Sequence, residues 1–284
     1  MEKSLRKAAT LFLKVAVSVA ALCIVFQNID QSRLVHLFTS VNLGWFALGF
    51  LLYNLSKVVS AFRLSVYFLA NGIQISNKEN LNLYYLGMFY NLFLPGGIGG
   101  DAYKVWLISR HPNYTAKLTL QSILFDRFSG TMALGAFCCV FGWWAFPNLP
   151  FREVLLVALL VSVPLFYTAT YILARPFIPS FTRTSLLSMV VQGTQVLCAW
   201  SLLNSLSIQD NLAAYFSVFL FSSLVSVLPI SIGGIGMREL VFVMAAGFSP
   251  IAKDDSVAFS LLFFFVTALS SLPGGAVPSP RLKN

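Results

Sequence analysis

The feature that most constrains this chain is a short run of helix breakers that occurs twice within apolar sequence. The two copies occupy 94–100 and 228–234, and both read L-P-x-x-I-G-G. They stand nearly half the chain apart, and a cation follows each proline by nine residues, Lys104 in the first copy and Arg238 in the second. A breaker run that recurs once per half of an apolar chain is typical of helices interrupted at membrane depth.

Backbone chemistry limits where such a run can lie. Proline removes a hydrogen-bond donor and clashes with the preceding turn, and each glycine costs a helix interior about 1 kcal/mol. Inside a bilayer the freed N–H and C=O groups find no water, so irregular backbone persists only where protein surrounds it or where it lines a wet cavity. Each copy therefore predicts either a close contact between helices, which glycine permits, or a polar cavity.

The composition identifies the surroundings of the chain. Of the 284 residues, 57% are hydrophobic and 10% are charged, a balance that a water-soluble chain of this length does not show. The apolar stretches are long and continuous rather than short and alternating, so they predict helices and not a barrel. The net charge of +9 is a topology signal, because Lys and Arg collect near the cytoplasmic ends of spans. We predict no nucleic-acid partner from it.

The hydropathy pattern predicts an all-α polytopic membrane protein with about six full transmembrane helices and two broken ones. The full spans are expected at 8–26, 42–62, 128–146, 154–174, 185–206 and 257–272. An amphipathic stretch, 114–127, is expected to lie along the inner interface before the third of these spans. The two broken elements, 81–109 and 212–248, contain the breaker runs.

The distribution of Lys and Arg chooses between a re-entrant hairpin and a full crossing for the broken elements. If the first one enters and leaves by one face, four of the next five cations share the cytoplasmic side with the basic N-terminus, and the fifth, Arg152, lies outside. Those four cations are Arg110, Lys117, Arg175 and Arg183. A full crossing reverses that bias, against the positive-inside rule. Counting the membrane crossings that follow, we expect the second broken element to enter from the opposite face, as in an inverted repeat. The same count predicts that both termini lie in the cytoplasm.

The cations after the breakers indicate a site for an anion. A helix that begins at membrane depth directs unpaired N–H groups and about half a positive charge into the interior. Lys104 and Arg238 lie near the first turns of two such helices, and these groups together suit a lipid phosphate. The candidate path for a lipid headgroup comprises Asn91, Pro95, Gly96, Gly97, Gly99, Gly100, Asp101, Lys104, Asp126, Arg127, Pro229, Gly233, Gly234, Gly236, Arg238 and Glu239.

Several of these residues also have purely structural interpretations. Asp101 suits a helix N-terminus and stands three residues before Lys104, where the two side chains can pair. Asn91 can bond freed backbone groups or touch a substrate. Asp126 and Arg127 can be interfacial charges with no role in the path. The sequence leaves these alternatives open.

Sequence motifs for catalysis are missing. No Ser/His/Asp set, metal-ligand cluster or P-loop stands in the sequence, and the four cysteines lie inside apolar runs without metal-ligand spacing. We therefore predict no metal, no cofactor and no enzymatic activity. A transferase that acts on a lipid phosphate within the membrane is the remaining enzymatic alternative, with Asp101 and Glu239 as its carboxylates.

The two breaker motifs and the adjacent residues Asp126 and Arg127 resemble the lysylphosphatidylglycerol synthase transmembrane family, also called flippase-like. The resemblance covers essentially the whole chain and is more specific in the second motif, 228–239. In that family the first motif usually carries Glu followed by Arg. Here Asp101 and Lys104 occupy the comparable places, a difference that bears on headgroup preference.

The resemblance implies one flippase-like transmembrane domain over 1–284, with half-repeats 1–150 and 151–284, in a multi-pass protein of the inner membrane. It implies translocation of lipids, here of an anionic or phosphate-bearing lipid or lipid-linked intermediate. Bifunctional members add a soluble aminoacyl-transferase domain; this sequence ends at Asn284 without one, so lysyl transfer to phosphatidylglycerol is not expected. The alternative function is a non-transporting membrane scaffold that partners a glycosyltransferase or a lipid-synthesis enzyme through the amphipathic stretch.

Overall fold

The computed structural model describes residues 27, 30–93, 99–150, 152–227 and 236–277. In this part of the chain all regular secondary structure is helical. The ten α-helices, numbered in chain order, are α1 (Gln31–Thr39), α2 (Leu43–Ala70), α3 (Asn77–Phe93), α4 (Gly99–Ile108), α5 (Ala116–Ala145), α6 (Glu153–Leu173), α7 (Phe181–Ser205), α8 (Leu212–Val227), α9 (Met237–Ala245) and α10 (Lys253–Ser271). Two 3₁₀ helices follow α6 and α10, at Arg175–Ser180 and Leu272–Ala276.

Five of the described helices are long and apolar enough to cross a membrane: α2, α5, α6, α7 with the 3₁₀ helix before it, and α10 with the one after it. They coincide with five of the six predicted full spans, and the sixth, 8–26, lies outside the described residues. The chain is therefore an all-helical, multi-pass membrane protein. The shorter α3, α4, α8 and α9 flank the breaker runs, of which 94–98 and 228–235 lie outside the described residues.

Two helix boundaries differ from the sequence prediction, and one buried ion pair explains both. α2 continues past Arg63 to its end seven residues later, and α5 runs without interruption from Ala116 to Ala145. The prediction of 114–127 as a separate interfacial element is therefore wrong. Arg63 and Asp126 neutralise each other inside the protein, so neither charge marks the end of a span.

The packing of α2 against α7 is the most extensive helix contact in the described structure. Gly49 permits it, because a Cβ at that position would lie only 2.8 Å from Leu202 Cδ2. Small residues at such contacts let helix backbones approach closely where lipid provides no hydrophobic drive. The largest apolar cluster continues from Leu202 to Phe219 of α8 and Phe259 of α10. This core holds the second half of the chain against α2.

The helices on either side of the first breaker run, α3 and α4, form a hairpin that we call hairpin 1. The Gly100 N–H donates to Asn91 Oδ1 at 2.8 Å, and a Cβ on Gly100 would collide with the Gly87 carbonyl. Gly87 itself faces Lys104, where a Cβ would lie 2.5 Å from Cε. Residues later in α4 contact residues earlier in α3, so the two helices run antiparallel. Hairpin 1 therefore leaves by the face through which it enters, as the charge distribution predicts.

The helices on either side of the second breaker run, α8 and α9, also pack against each other, and we call them hairpin 2. Gly236 precedes α9 with φ of +82°, a backbone conformation that glycine adopts without strain. Further along α9, the Phe242 ring meets the Phe259 ring of α10 edge to face, with centroids 5.6 Å apart. Hairpin 2 is thereby packed against the last crossing helix.

Hairpin 1 opens at one end of the bundle, which we call face 1. There the Asn71 side chain, just after α2, donates to the Leu118 carbonyl of α5 at 3.1 Å. The Tyr114 hydroxyl donates to the Gln74 carbonyl at 3.2 Å. These bonds hold the entry to α3 beside the loop that follows α4, so both helices of hairpin 1 have their outer ends at this face.

Hairpin 2 opens at the other end, which we call face 2. There the Asn42 N–H, at the start of α2, donates to the Ser205 carbonyl at the end of α7, at 2.9 Å. The Asp30 N–H donates to Asp254 Oδ1, in the first turn of α10, at 3.1 Å. α8 begins shortly after Ser205 and α9 ends shortly before α10, so hairpin 2 opens here. The two hairpins thus enter from opposite faces, in the inverted arrangement that the sequence predicts.

Candidate functional site

Eight charged side chains lie between the two faces in the part of the chain that the structure describes. The cations are Lys57, Arg63, Lys104, Arg127 and Arg238, and the carboxylates are Asp101, Asp126 and Glu239. Ionised groups are rare inside a membrane, because each one has to be paired, hydrogen-bonded or solvated. The contacts of these eight show which of them are compensated.

The first group of charges is centred on Asp101, in the first turn of α4. Its Oδ1 lies 3.3 Å from Lys104 Nζ, and its Oδ2 accepts a hydrogen bond from Arg127 Nε of α5. Lys104 Nζ also lies 4.7 Å from the centroid of the Tyr84 ring on α3. The positive end of the α4 dipole favours the carboxylate further. One carboxylate therefore holds two cations and ties hairpin 1 to α5.

The second group is a neutral ion pair between α2 and α5. Arg63 Nε lies 2.7 Å from Asp126 Oδ1, and both side chains are buried. Arg63 Nη1 donates to Ser188 Oγ of α7 at 2.9 Å. The guanidinium lies over Gly130, where a Cβ would be 3.1 Å from Nη1. The pair joins three crossing helices, and a place for Asp126 in the headgroup path stays a prediction.

Glu239 closes the N-terminus of α9. Its Oε2 accepts from the Gly236 N–H, and its Oε1 accepts from Ser260 Oγ of α10, both at 2.8 Å. The side chain is buried, and the positive end of the helix dipole stabilises its charge. It forms no ion pair with a cation of the described residues. Glu239 thus fastens hairpin 2 to α10, and its place in the headgroup path stays a prediction.

Lys57 and Arg238 form no ion pair with any carboxylate in the described ranges. Both lie against aromatic rings: Lys57 Nζ is 4.4 Å from the centroid of Tyr53, and Arg238 Cζ is 4.6 Å from that of Phe263. The Tyr53 and Phe263 rings meet edge to face, with centroids 5.7 Å apart. The two uncompensated cations are therefore linked through one aromatic pair, by cation–π contacts that replace only part of their hydration.

The position of Lys57 makes its charge unusual. It lies at the middle of α2, about 20 Å of helix from either end at about 1.5 Å per residue. Both Lys57 and Arg238 are partly exposed rather than buried. A charged group at this depth is not stable against lipid tails, so it has to face other polar groups or water.

The structure brings most of the predicted site residues that it describes into two groups, one on each hairpin. The deep end of hairpin 1 holds Asn91, Gly99, Gly100, Asp101 and Lys104, with Arg127 beside them. The start of α9 holds Gly236, Arg238 and Glu239. The remaining predicted residues, Pro95, Gly96, Gly97, Pro229, Gly233 and Gly234, lie outside the described residues. Asn91 bonds the freed backbone of α4, one of the two roles that the sequence leaves open for it.

Two interior cations, Lys57 and Arg63, are missing from the predicted path. The sequence prediction places the end of a span at Arg63, which treats both cations as near-terminal charges. A signal was present, because two cations interrupt an apolar run that continues for a full turn beyond Arg63. Asp126 stands inside another apolar run as a partner of opposite sign.

Two hairpins that open at opposite faces, around charges at mid-membrane depth, define a multi-pass helical membrane protein with a charged interior. The family described as the lysylphosphatidylglycerol synthase TM region matches the chain over residues 11–184 and 176–274, and the chain belongs to this family. It is thus a membrane protein of the lysylphosphatidylglycerol synthase or flippase-like type. No curated protein gives a significant match to the sequence.

Proposed function

We propose that this protein translocates an anionic or phosphate-bearing lipid across the cytoplasmic membrane. Lys57 and Arg238 carry the proposal, because they are uncompensated cations at mid-depth between hairpins that open at opposite faces. A single cation at the centre of a membrane helix costs about 3 kcal/mol on insertion scales. Two such cations oppose stability, so we infer that their positive charge serves the function of the bundle. An anion that enters the bundle supplies the missing partner.

The accessible surface of the two cations supports a polar route through the bundle. Both residues are partly exposed, at a depth where lipid tails surround the outside of the protein. Since charge is not tolerated against tails, that surface lines a route which water and a headgroup can enter. A lipid can leave its tails in the bilayer while its headgroup follows this route.

Hairpin 1 provides a second set of cations on the face 1 side of this route. Asp101 holds Lys104 and Arg127 together, so one cation can turn to an incoming phosphate while the other keeps the carboxylate neutralised. Apart from the Gly100 N–H, which donates to Asn91, the first N–H groups of α4 lie beside them and are donors suited to an anion. We infer that a headgroup passes between this group and the pair of Lys57 and Arg238.

The distribution of basic residues supports face 1 as the cytoplasmic face. Face 1 carries Lys78, Arg110, Lys117, Arg175 and Arg183, whereas face 2 carries Arg33, Arg152 and Lys253. From the positive-inside rule we infer that face 1 lies in the cytoplasm. The cytoplasmic position of both chain termini stays a prediction from the sequence. Labelling with a membrane-impermeant maleimide tests this. Cysteine in place of the exposed Asn113 should react only from the cytoplasm, and cysteine in place of the exposed Gln209 only from outside.

Reconstitution tests the transport itself. Proteoliposomes with acyl-labelled fluorescent phosphatidylglycerol or phosphatidic acid are quenched by dithionite from outside, and loss of the protected inner-leaflet signal reports translocation. We expect K57Q and R238Q to slow translocation by about tenfold or more, because each removes a charge partner of the phosphate in a low-dielectric site. The matched controls K78Q and R183Q remove the same charges from exposed positions and should translocate at the wild-type rate.

The proposal makes this chain a transporter rather than an enzyme, with a membrane lipid as substrate and lipid- or glycan-synthesis enzymes as partners. The ranges that the structure describes contain no group of three His, Cys, Asp or Glu side chains able to hold a metal. If no labelled lipid moves in wild-type proteoliposomes, the scaffold function is favoured instead. That function predicts that K117E, on the exposed start of α5, abolishes capture of a partner enzyme while K57Q leaves capture intact.

A further inference from the structure

The interior charges of the described structure do not cancel. Five cations stand with three carboxylates, so two positive charges are in excess. The other six acidic residues of the described ranges lie near the two faces and not in the interior. Lys57 and Arg238 are the two that form no ion pair with a carboxylate of the described residues, although Glu239 lies next to Arg238 in the chain and acts on its charge.

These two cations keep all of their hydrogen-bond donors available. Within the described residues neither side chain donates a hydrogen bond, and each cation lies within 5 Å of the centroid of an aromatic ring instead. Lys57 offers three N–H groups on a flexible stem, and Arg238 offers a planar fork that matches two oxygens of one phosphate. The contact between Tyr53 and Phe263 links the two donors within one cluster. A phosphate has three terminal oxygens that can accept hydrogen bonds from such cationic donors.

We propose that the substrate is a lipid phosphomonoester, and that Lys57 and Arg238 together select it over lipids with fewer negative charges. The inference rests on the proposed translocation and adds the class of headgroup. A phosphomonoester carries between about 1.5 and 2 negative charges at pH 7, close to the excess of two among the described interior side chains. A phosphodiester leaves one cation uncompensated at mid-depth. A zwitterionic headgroup brings its own cation and leaves both uncompensated.

A competition between headgroups tests the selection. Proteoliposomes receive acyl-labelled phosphatidic acid, phosphatidylglycerol or phosphatidylcholine with identical chains at pH 7.5. We expect phosphatidic acid to move about tenfold faster than phosphatidylglycerol, because one further charge pair at an effective dielectric constant of about 20 is worth at least that factor. K57Q and R238Q each leave one cation, so each should bring the ratio close to one, while K57R should keep the wild-type ratio.

A measurement on the unmodified protein keeps the test independent of variant folding. The second pKa of a phosphomonoester is about 6, whereas a phosphodiester keeps one charge throughout. The ratio of phosphatidic acid to phosphatidylglycerol translocation should therefore fall towards one between pH 7.5 and pH 5. Phosphatidylglycerol serves as the internal control for effects of pH on the protein itself. Inorganic phosphate in excess should leave both rates unchanged if the tails are part of what is bound.

The outcomes separate this inference from the proposed function. Translocation of phosphatidylglycerol at or above the rate of phosphatidic acid overturns the headgroup class but leaves translocation intact. A wild-type preference that K57Q and R238Q both retain overturns the assignment to these residues. Inhibition by inorganic phosphate shows a site for the free anion and overturns the lipid as ligand. If no lipid moves, native mass spectrometry of the purified protein with an equimolar mixture of the three lipids measures binding instead. Selective binding of phosphatidic acid does not require transport and supports the headgroup class. Absence of that selectivity overturns the inference.

Discussion

The two hairpins share a breaker motif, yet the charges that follow it are used in opposite ways. In hairpin 1 Asp101 stands three residues before Lys104, pairs with it and also holds Arg127. In hairpin 2 Glu239 directly follows Arg238, so the two side chains leave the helix about 100° apart. Glu239 turns to the backbone of its own helix start, and Arg238 turns to aromatic rings.

The comparison shows that the motif and the charges carry separate information. The proline and glycines set where a helix begins at membrane depth. The position of the acidic residue relative to the cation decides whether that cation is neutralised within its own hairpin. A spacing of three residues yields a compensated cation in hairpin 1, and adjacency leaves an available one in hairpin 2. The proposed headgroup route follows from that asymmetry, and the predictions below test it in order of expected effect.

The largest effect is expected from G100A, which acts on the backbone contact inside hairpin 1. An added Cβ would collide with the Gly87 carbonyl, which cannot move aside as a flexible side chain can. We expect a loss of stability above the usual overpacking range of about 1–3 kcal/mol, seen as loss of the folded peak in size-exclusion chromatography after heating. The control G135A adds a methyl group where nothing lies within 4 Å and should unfold like the wild type. Equal behaviour of the two variants would contradict the close approach of α3 and α4.

The next largest effect is expected from D101N, which removes the compensation that distinguishes hairpin 1. Lys104 and Arg127 then lose their shared carboxylate, and a buried pair broken on one side costs about 3–5 kcal/mol. We expect the lower end of this range, because Arg127 is partly exposed and water screens it. Thermal unfolding measures the change, and D210N at an exposed position is the control. Removing a cation as well, in D101N/K104M, should recover part of the loss; no recovery would argue against the pairing.

Much of the helical framework follows from the sequence because its causes are local. Apolar runs of span length and the breaker residues mark five crossings and four half-helices, and most of the predicted bounds lie within a few residues of the observed ones. The end of α2 and the start of α5 are the exceptions. The inverted entry of the hairpins follows from counting Lys and Arg along the chain. These signals do not depend on which helix packs against which.

The charged interior was harder to predict because it depends on contacts between distant helices. A hydropathy window reads Arg63 as the end of a span, and only the position of Asp126 on α5 shows that the charge stays inside. The same holds for Lys57, because only the packed structure shows that no carboxylate of the described residues pairs with it. The capping role of Glu239 had a local signal, because it stands three residues after Gly236, the spacing of a capping box.

A smaller effect is expected at Glu239, where a helix start rather than an ion pair is at stake. E239A removes the acceptor for the Gly236 N–H and for Ser260 Oγ, and loss of such a cap costs about 1–2 kcal/mol. E239Q keeps an amide oxygen that can accept one of these bonds, so it should lose less than E239A. The two variants are compared by thermal unfolding. If E239Q loses as much as D101N does, Glu239 acts as a charge partner and the contrast between the hairpins fails.

R238Q is expected to have the smallest effect on stability, although its effect on lipid translocation is large. An uncompensated cation in the interior opposes folding through its lost hydration, so R238Q should unfold at the wild-type temperature or above it. The matched change in hairpin 1, K104Q, removes one of two partners of Asp101 and should lower stability by about 1 kcal/mol. Thermal unfolding and lipid translocation are measured on the same preparations. If R238Q is stable but no longer moves lipid, Arg238 serves translocation as an available cation and not the stability of the fold. If R238Q is instead as destabilised as K104Q, Arg238 has a carboxylate partner in the folded protein, and the second hairpin is compensated like the first.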